Sequence, residues 1–280
     1  MTESANPLKK FFRQPALYIQ LPSGGNYYPA GSVFMPPNKE IPVYPMTALD
    51  EITYRTADAL FNGSAVAEVI KSCVPAIKDP WAIPSIDLNS LIIAIRIASN
   101  GNTMEIDSQC PECKEDNEFD LDLRTVLGSI NTPNMAEPLA IGDLKIYFKP
   151  LTYKEINDNT LAQYEDQRLL AIIPESDLPD EEKIKRLNEA FLQLTRLTMN
   201  AMSSSISMIE AGDDVVVDPV YIQEYVRETD KDTFDRIRNH ITNLREATEL
   251  KPLAIRCRKC DHKYETPFTL NPSNFFGRAS

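Results

Sequence analysis

The sequence predicts an α+β protein: a helix-rich body with short edge strands and two CxxC β-hairpins forming a zinc-ribbon-like site, with signs of an internal duplication. Three observations lead there. Segments with apolar residues at helical spacing recur between Ala48 and Ala247. Two Cys-x-x-Cys pairs, Cys110-Pro111-Glu112-Cys113 and Cys257-Arg258-Lys259-Cys260, each lie between runs that alternate polar with apolar residues, as half-buried strands do. One strand-to-helix junction is written twice.

Composition bounds the class before any element is placed. A chain of 280 residues buries roughly 75% of its extended surface, so it needs no staple merely to fold. With 42% hydrophobic and 25% charged residues it reads as an ordinary globular chain, and no apolar run approaches a membrane span. The net charge of −12 opposes a phosphate-binding surface, which relies on clustered Lys and Arg, so neither nucleic acid nor membrane is expected as a partner. Met1 to Lys10 is polar and lacks the apolar core of a secretory signal.

Taken in order, residues 1–40 read as an extended arm. Leu21-Pro22-Ser23-Gly24-Gly25-Asn26-Tyr27-Tyr28-Pro29-Ala30-Gly31 is dense turn chemistry, and Gly24-Gly25 lacks the Lys-Ser/Thr that a phosphate loop needs. The aromatic residues Phe11, Phe12, Tyr18, Tyr27, Tyr28 and Phe34 are costly to leave in water, so the arm is expected to lie against the body or a partner subunit.

Residues 41–135 read as a first strand-helix-knuckle unit. Ile41-Pro42-Val43-Tyr44 is an edge strand, since proline is tolerated there, and Thr47 caps a helix over 48–60. Further helices are expected over 64–73 and 88–99, the latter with Leu91, Ile92, Ile95 and Ala98 on its apolar face. Asn100-Gly101 stops it, and the first knuckle hairpin follows.

Residues 136–280 read as a second unit with a helical insertion and a C-terminal tail. Lys145 to Ile156 parallels Ile41 to Ile52: an edge strand, an apolar residue, a capping Thr, then Glu-Ile in the first turns. Helices are expected over 153–172, 180–202, 219–228 and 232–247, the second being the insertion, with Ser203-Ser204-Ser205 read as a linker.

Four of the five cysteines sit in the knuckles, and two such turns bring four thiolates to the tetrahedral Zn–S distance of about 2.3 Å. Cys110, Cys113, Cys257 and Cys260 are therefore expected to form one closed structural Zn²⁺ site, within one chain or across two. A thiol redox pair fits less well, because an acidic β segment follows Cys113 where a helix N-terminus is needed to lower a thiol pKa. A catalytic zinc needs His262 or water in place of a thiolate. The first knuckle is flanked by acids and the second by Arg256, Arg258, Lys259 and Lys263, so the hairpins either attract each other or carry solvated charge. Cys73, in an apolar stretch, reads as a buried thiol. His240, between arginines on a helix, reads as a surface residue, and no catalytic constellation or small-molecule substrate site emerges.

Leu-Pro-Ser-Gly-Gly-Asn-Tyr-Tyr-Pro (Leu21 to Pro29), Pro-Met-Thr-Ala-Leu-Asp-Glu-Ile (Pro45 to Ile52), the Cys-Pro-Glu-Cys hairpin and Leu-Asn-Pro-Ser-Asn-Phe-Phe (Leu270 to Phe276) together resemble the T-even-type bacteriophage baseplate protein family, of the hub and inner wedge region. The resemblance covers most of residues 15–125 and the last twenty; the helical region 161–202 lies outside it. It implies a non-enzymatic structural part of a contractile tail, assembled in the host bacterial cytoplasm and located in the virion baseplate. Its partners are then other tail and baseplate subunits, contacted through Phe11, Phe12, Tyr18, Tyr27, Tyr28, Phe275 and Phe276. Two other classes stay open: an assembly chaperone absent from the finished particle, and a zinc-ribbon adaptor protein, which the charge opposes.

Overall fold

A computed structural model describes residues 7–56, 62–176, 178–268 and 270. The chain divides into two compact units, each built from separate stretches: Met1–Pro80, Asp87–Ile130 and Leu250–Ser280 in the first, Trp81–Ile86 and Asn131–Glu249 in the second.

In the first unit, β1 (Leu17–Gln20) pairs antiparallel with β2 (Glu40–Val43), Ile19 facing Ile41 across the ladder. Ile19, Ile41 and Val43 turn inward, while Pro42 sits where a two-stranded ribbon needs no donor. Helix α1 (Ala48–Tyr54) starts at a capping box: Thr47 Oγ1 accepts from the Asp50 N–H, and the Asp50 carboxylate accepts from the Thr47 N–H at 2.7 Å. The rest of the predicted helix, residues 57–61, lies outside the described residues. Helix α2 (Ser64–Cys73) has the expected bounds, and Cys73 is buried as expected, its thiol pushed up to about 12 first by burial and then by Asp50.

Helix α3 (Ser85–Asn100) departs from the one-faced amphipath that the spacing predicts. Every residue from Leu91 to Ile97 is buried, Arg96 included. A helix that is apolar nearly all round belongs at the centre of a core, and the run Leu91-Ile92-Ile93-Ala94-Ile95 satisfies that condition.

The glycine-rich turn that follows β1 is tied to α3 by one buried carboxylate. Asp87 accepts from the Ser23 N–H at 2.7 Å and from Ser23 Oγ at 2.5 Å. Tyr28 lies beside the same carboxylate, whose charge, after burial itself, pushes the Tyr28 phenol upward. Gly24 and Gly25 take positive φ there, and a Cβ on Gly25 would meet the Met35 side chain at 2.5 Å. Arg13 makes a second tie: its guanidinium donates to the Pro45 carbonyl at 2.6 Å and the Ser72 carbonyl at 2.7 Å, and pairs with Asp50 at 3.4 Å. The stretch from Arg13 to Phe34, whose N–H reaches the Ala76 carbonyl, is thus woven into the first unit. Short helix α4 (Leu123–Gly128), capped by Asp122, closes the segment after the first knuckle and buries Leu123 and Val126.

The second unit holds a four-stranded antiparallel sheet, β5 (Leu139–Ile141), β6 (Leu144–Phe148), β7 (Ile206–Ala211) and β8 (Asp214–Val216), in sequential order. Only β6 is among the expected strands. The chain leaves β6, forms a long helical hairpin of α5 (Tyr153–Ile172) and α6 (Asp180–Ser204), and returns as β7. Ser203 and Ser204 are the end of α6 and Ser205 its buried cap, so the serine run is helix terminus and not a linker. Helices α7 (Pro219–Glu228) and α8 (Lys231–Glu246) complete a core of Ile146, Phe148, Met202, Ile206, Ile209, Ile222, Val226 and Ile237.

A bulge between Tyr147 and Phe148 lets Phe148 meet the His240 ring at 4.6 Å between centroids. His240 is therefore half-buried in this core, not a surface residue, and its Nε2 has no hydrogen-bond partner among the described residues. Burial holds its pKa down, partly offset by Glu137.

Two outcomes are expected. Asp87→Ala leaves two buried donors of Ser23 without an acceptor and lowers urea stability by about 3 kcal/mol, since hydrogen bonds to a charged group contribute roughly 1.5–3 kcal/mol each. The fold favours neutral His240, whereas the unfolded chain takes up a proton as pH falls below about 6.5. Stability is then full above that value and declines below it, and His240→Phe flattens the pH dependence of the denaturation midpoint between about pH 7 and 5.

Candidate metal centre

Each knuckle is carried by a β-hairpin of the first unit. β3 (Thr103–Gln109) and β4 (Asp116–Asp122) pair from Thr103↔Asp122 to Gln109↔Asp116, and Cys110 to Glu115 form the tip. β9 (Leu253–Arg256) and β10 (Lys263–Thr266) pair from Leu253↔Thr266 to Arg256↔Lys263, with Cys257 to His262 at the tip.

The two tips have the same backbone. Cys110 N–H donates to the Glu115 carbonyl at 2.9 Å and Lys114 N–H to the Cys110 carbonyl at 3.0 Å; Cys257 donates to His262 at 2.9 Å and Asp261 to Cys257 at 3.1 Å. In both, the residue after the second cysteine takes a left-handed conformation, Lys114 at φ 58° and Asp261 at φ 66°. That reversal folds each Cys-x-x-Cys so that its two sulfurs point the same way.

All four sulfurs lie within 4.8 Å of one another. Across the hairpins, Cys110 Sγ is 3.7 Å from Cys260 Sγ and Cys113 Sγ is 3.6 Å from Cys257 Sγ. A tetrahedron with metal–sulfur bonds of about 2.3 Å has edges of about 3.8 Å. The donor set therefore fits a four-thiolate metal, held within one chain, with Cys110 and Cys257 buried and Cys260 at the surface. A metal taken up by all four sulfurs in a tetrahedron would keep no open position for water or substrate.

The thiols are electrostatically unequal before any metal enters. Backbone hydrogen bonds from Cys260 and then Lys259 bring Cys257 down to about 6 against partial desolvation. At Cys260 a backbone bond from His262 pulls the same way, yet desolvation and hydrogen bonds with the other thiols outweigh it and hold the group at about 12. A metal cation relieves this crowding, since it replaces shared protons with coordination by four thiolates.

One residue that the sequence reading missed joins the two hairpins. Asn117 is 2% exposed. Its amide nitrogen lies 3.6 Å from Cys257 Sγ and donates to the Glu115 carbonyl at 3.0 Å, while its Oδ1 accepts from the Arg258 N–H at 2.9 Å. The available signal was an uncharged polar residue at an inward position of a strand that otherwise alternates acid with apolar. The question of the opposed charges is answered locally: Lys259 pairs with Glu115 at 2.5 Å, and Arg258 lies over the Phe119 ring at 5.5 Å. His262, the residue weighed as a replacement for one thiolate, is exposed and stacks on Tyr264, outside the group of the four cysteines.

The aromatic residues singled out for partner contact divide. Phe11 is 73% exposed, Phe12 54% and Tyr18 60%. Tyr27 is also exposed, Tyr28 is half-buried beside Asp87, and Phe275 and Phe276 lie outside the described residues.

Comparison with known proteins agrees with the resemblance drawn from the motifs. A family model described as T4 bacteriophage base plate protein matches residues 32–277, and the chain belongs to that family. Neither the curated proteins nor the solved structures contain a match to it.

Asn117→Ala is expected to weaken metal binding roughly 10–100-fold while leaving all four sulfurs in place, as removal of an outer-shell partner does. Competition against a coloured chelator measures the change. An affinity equal to that of the native chain contradicts the positioning role.

Proposed function

We propose that this member of the T4 bacteriophage base plate protein family is a non-enzymatic structural component of a contractile tail baseplate, in its hub or inner wedge region. The four cysteines hold a structural zinc that locks the two hairpins of the first unit. The observation that supports the staple is the meeting of four sulfurs within 4.8 Å, contributed by two hairpins whose cysteines Cys113 and Cys257 are 144 positions apart. Zinc is the metal that four thiolates in a rigid tetrahedron select most readily in a reducing compartment, and it brings no redox chemistry of its own.

The duplication over 41–135 and 136–280 belongs to the same reading. Thr47 and Thr152 are both N-caps of reciprocal capping boxes, at φ −88°, ψ 165° and φ −78°, ψ 160°, and each follows a strand by four residues. An edge strand, a capping Thr, helices and a two-cysteine tip then describe each copy, with the α5–α6 hairpin as the part the first copy lacks.

The surface used on neighbouring subunits is the exposed aromatic set before and beside the anchored arm, Phe11, Phe12, Tyr18 and Tyr27, together with Tyr28, Phe275 and Phe276 from the sequence reading. Arg13 and β1 are tied to the first unit, so a truncation that ends before Arg13 leaves those ties in place. Phage carrying the chain without residues 1–12 should make a folded, metal-loaded protein that fails to enter tails. Normal incorporation of the truncated chain overturns the arm's role. Mass spectrometry of purified virions separates the structural part from an assembly chaperone: the native chain is expected in the particle, and its absence there supports the chaperone.

A further inference from the structure

We propose that the four-cysteine centre is a staple that hydrogen peroxide converts from metal to disulfide: Cys260 takes the oxidant, Cys110 resolves it, and the new bond crosses the two hairpins. The inference rests on the metal reading above for what is released, and on the placement of the sulfurs alone for what is formed.

Exposure is uneven among the four sulfurs. Cys110 and Cys257 are buried, Cys113 is half-buried and Cys260 is exposed. Peroxide arriving from solvent therefore meets Cys260 first. A metal-bound cysteine is already a thiolate, which is the attacking form, so this step needs no separate base.

Proximity then selects the second sulfur. Cys110 Sγ lies 3.7 Å from Cys260 Sγ, and Cys113 Sγ lies 3.6 Å from Cys257 Sγ, so both pairs run from one hairpin to the other. The competing partner for Cys260 is Cys257, in its own turn. Two donors hold that sulfur: the Lys259 N–H at 3.4 Å and, from the opposite hairpin, the Asn117 amide at 3.6 Å. Attack by Cys257 on Cys260 gives up those hydrogen bonds, and the Asn117 amide draws its sulfur towards the first hairpin, where Cys113 lies.

The electrons balance with peroxide as the oxidant. Cys260 Sγ attacks one peroxide oxygen; an S–O bond forms, the O–O bond breaks, and the departing hydroxide takes a proton from solvent to become water. Cys110 Sγ then attacks the Cys260 sulfur; the S–S bond forms, the S–O bond breaks, and a second hydroxide leaves as water in the same way. Two thiolates have lost two electrons and the peroxide has gained them. Cys113 and Cys257 alone no longer complete a tetrahedron, so they release the ion, and a second peroxide joins them by the same two steps.

Closure survives the exchange. Cys110 and Cys260 are 150 positions apart, so their bond links the same two hairpins that the metal links, whereas a bond inside either Cys-x-x-Cys turn would leave the hairpins unlinked.

Hydrogen peroxide added to the purified full chain, its metal counted beforehand, tests this. Trypsin cuts after Arg258 and Lys259 and a Glu-specific protease after Glu112, so a joint digest puts each cysteine of the centre on its own peptide. The expected result is complete loss of bound zinc to a coloured chelator, together with a linked pair of peptides carrying Cys110 and Cys260. A thiol reductant with added zinc reverses both. The oxidised, metal-free chain is expected to keep the protease resistance that the reduced chain loses on chelation. Zinc that stays bound under excess peroxide overturns the proposal, as does a disulfide confined to Cys110 and Cys113 or to Cys257 and Cys260, or oxidation of Cys260 that stops at the sulfinic acid. A chain that carries no zinc yet forms the Cys110–Cys260 link refutes the metal reading and supports the sulfur pairing.

Discussion

Four thiols meeting within 4.8 Å impose a constraint that the rest of the first unit obeys. For Cys110 to lie 3.7 Å from Cys260, the hairpin that follows α3 and the hairpin that follows α8 must return to the same place, although Asn131–Glu249 between them belongs to the second unit. The tips tolerate this because each is built by its own backbone, with matching hydrogen bonds and a left-handed residue after the second cysteine. Asn117 and the Lys259–Glu115 pair then set the register between hairpins that share no ladder. A metal held by these sulfurs would close a loop of 144 residues, and closing a long loop removes much of the freedom of the unfolded chain.

Most of what the sequence made legible was local. Helix bounds at Ser64–Cys73, Tyr153–Ile172 and Pro219–Glu228 follow from caps and apolar spacing that lie within a few residues. The meeting of the four cysteines was legible because a Cys-x-x-Cys turn between alternating strands has few other uses. What escaped was non-local. Strands β5, β7 and β8 are short, and their pairing depends on a sheet that closes only after the α5–α6 hairpin returns the chain. Asp87 gives no sign in the sequence that it will bind Ser23, 64 residues earlier. His240 looked solvated because its neighbours are arginines, and only the bulge at Phe148 puts its ring in the core. Phe34 and Tyr28 illustrate the same point for the arm: the segment has little periodicity because its bonds go to distant partners, not because it lacks them.

Membership of the T4 bacteriophage base plate protein family supports a structural role in the phage baseplate. The four cysteines that could hold a metal sit on the tips of two hairpins. Exposed large apolar residues occur on the segment from Leu8 to Phe12, at Tyr18, Tyr27 and Phe34, on α1, along the α5–α6 hairpin and between Val215 and Tyr221. Within each unit the core is complete without those residues, as the buried run of α3 and the cluster around Ile237 show. Exposed apolar surface on a body that already packs well is available for neighbours, which is the physical requirement for a protein whose work is assembly.

The central claim is that one zinc ion, held by Cys110, Cys113, Cys257 and Cys260 of a single chain, fastens this protein. X-ray absorption at the zinc edge, on purified chain whose metal content has been counted, addresses it most directly. The account predicts one zinc per chain surrounded by four sulfurs at about 2.3 Å. A shell containing nitrogen or oxygen, or a folded chain without metal, contradicts it.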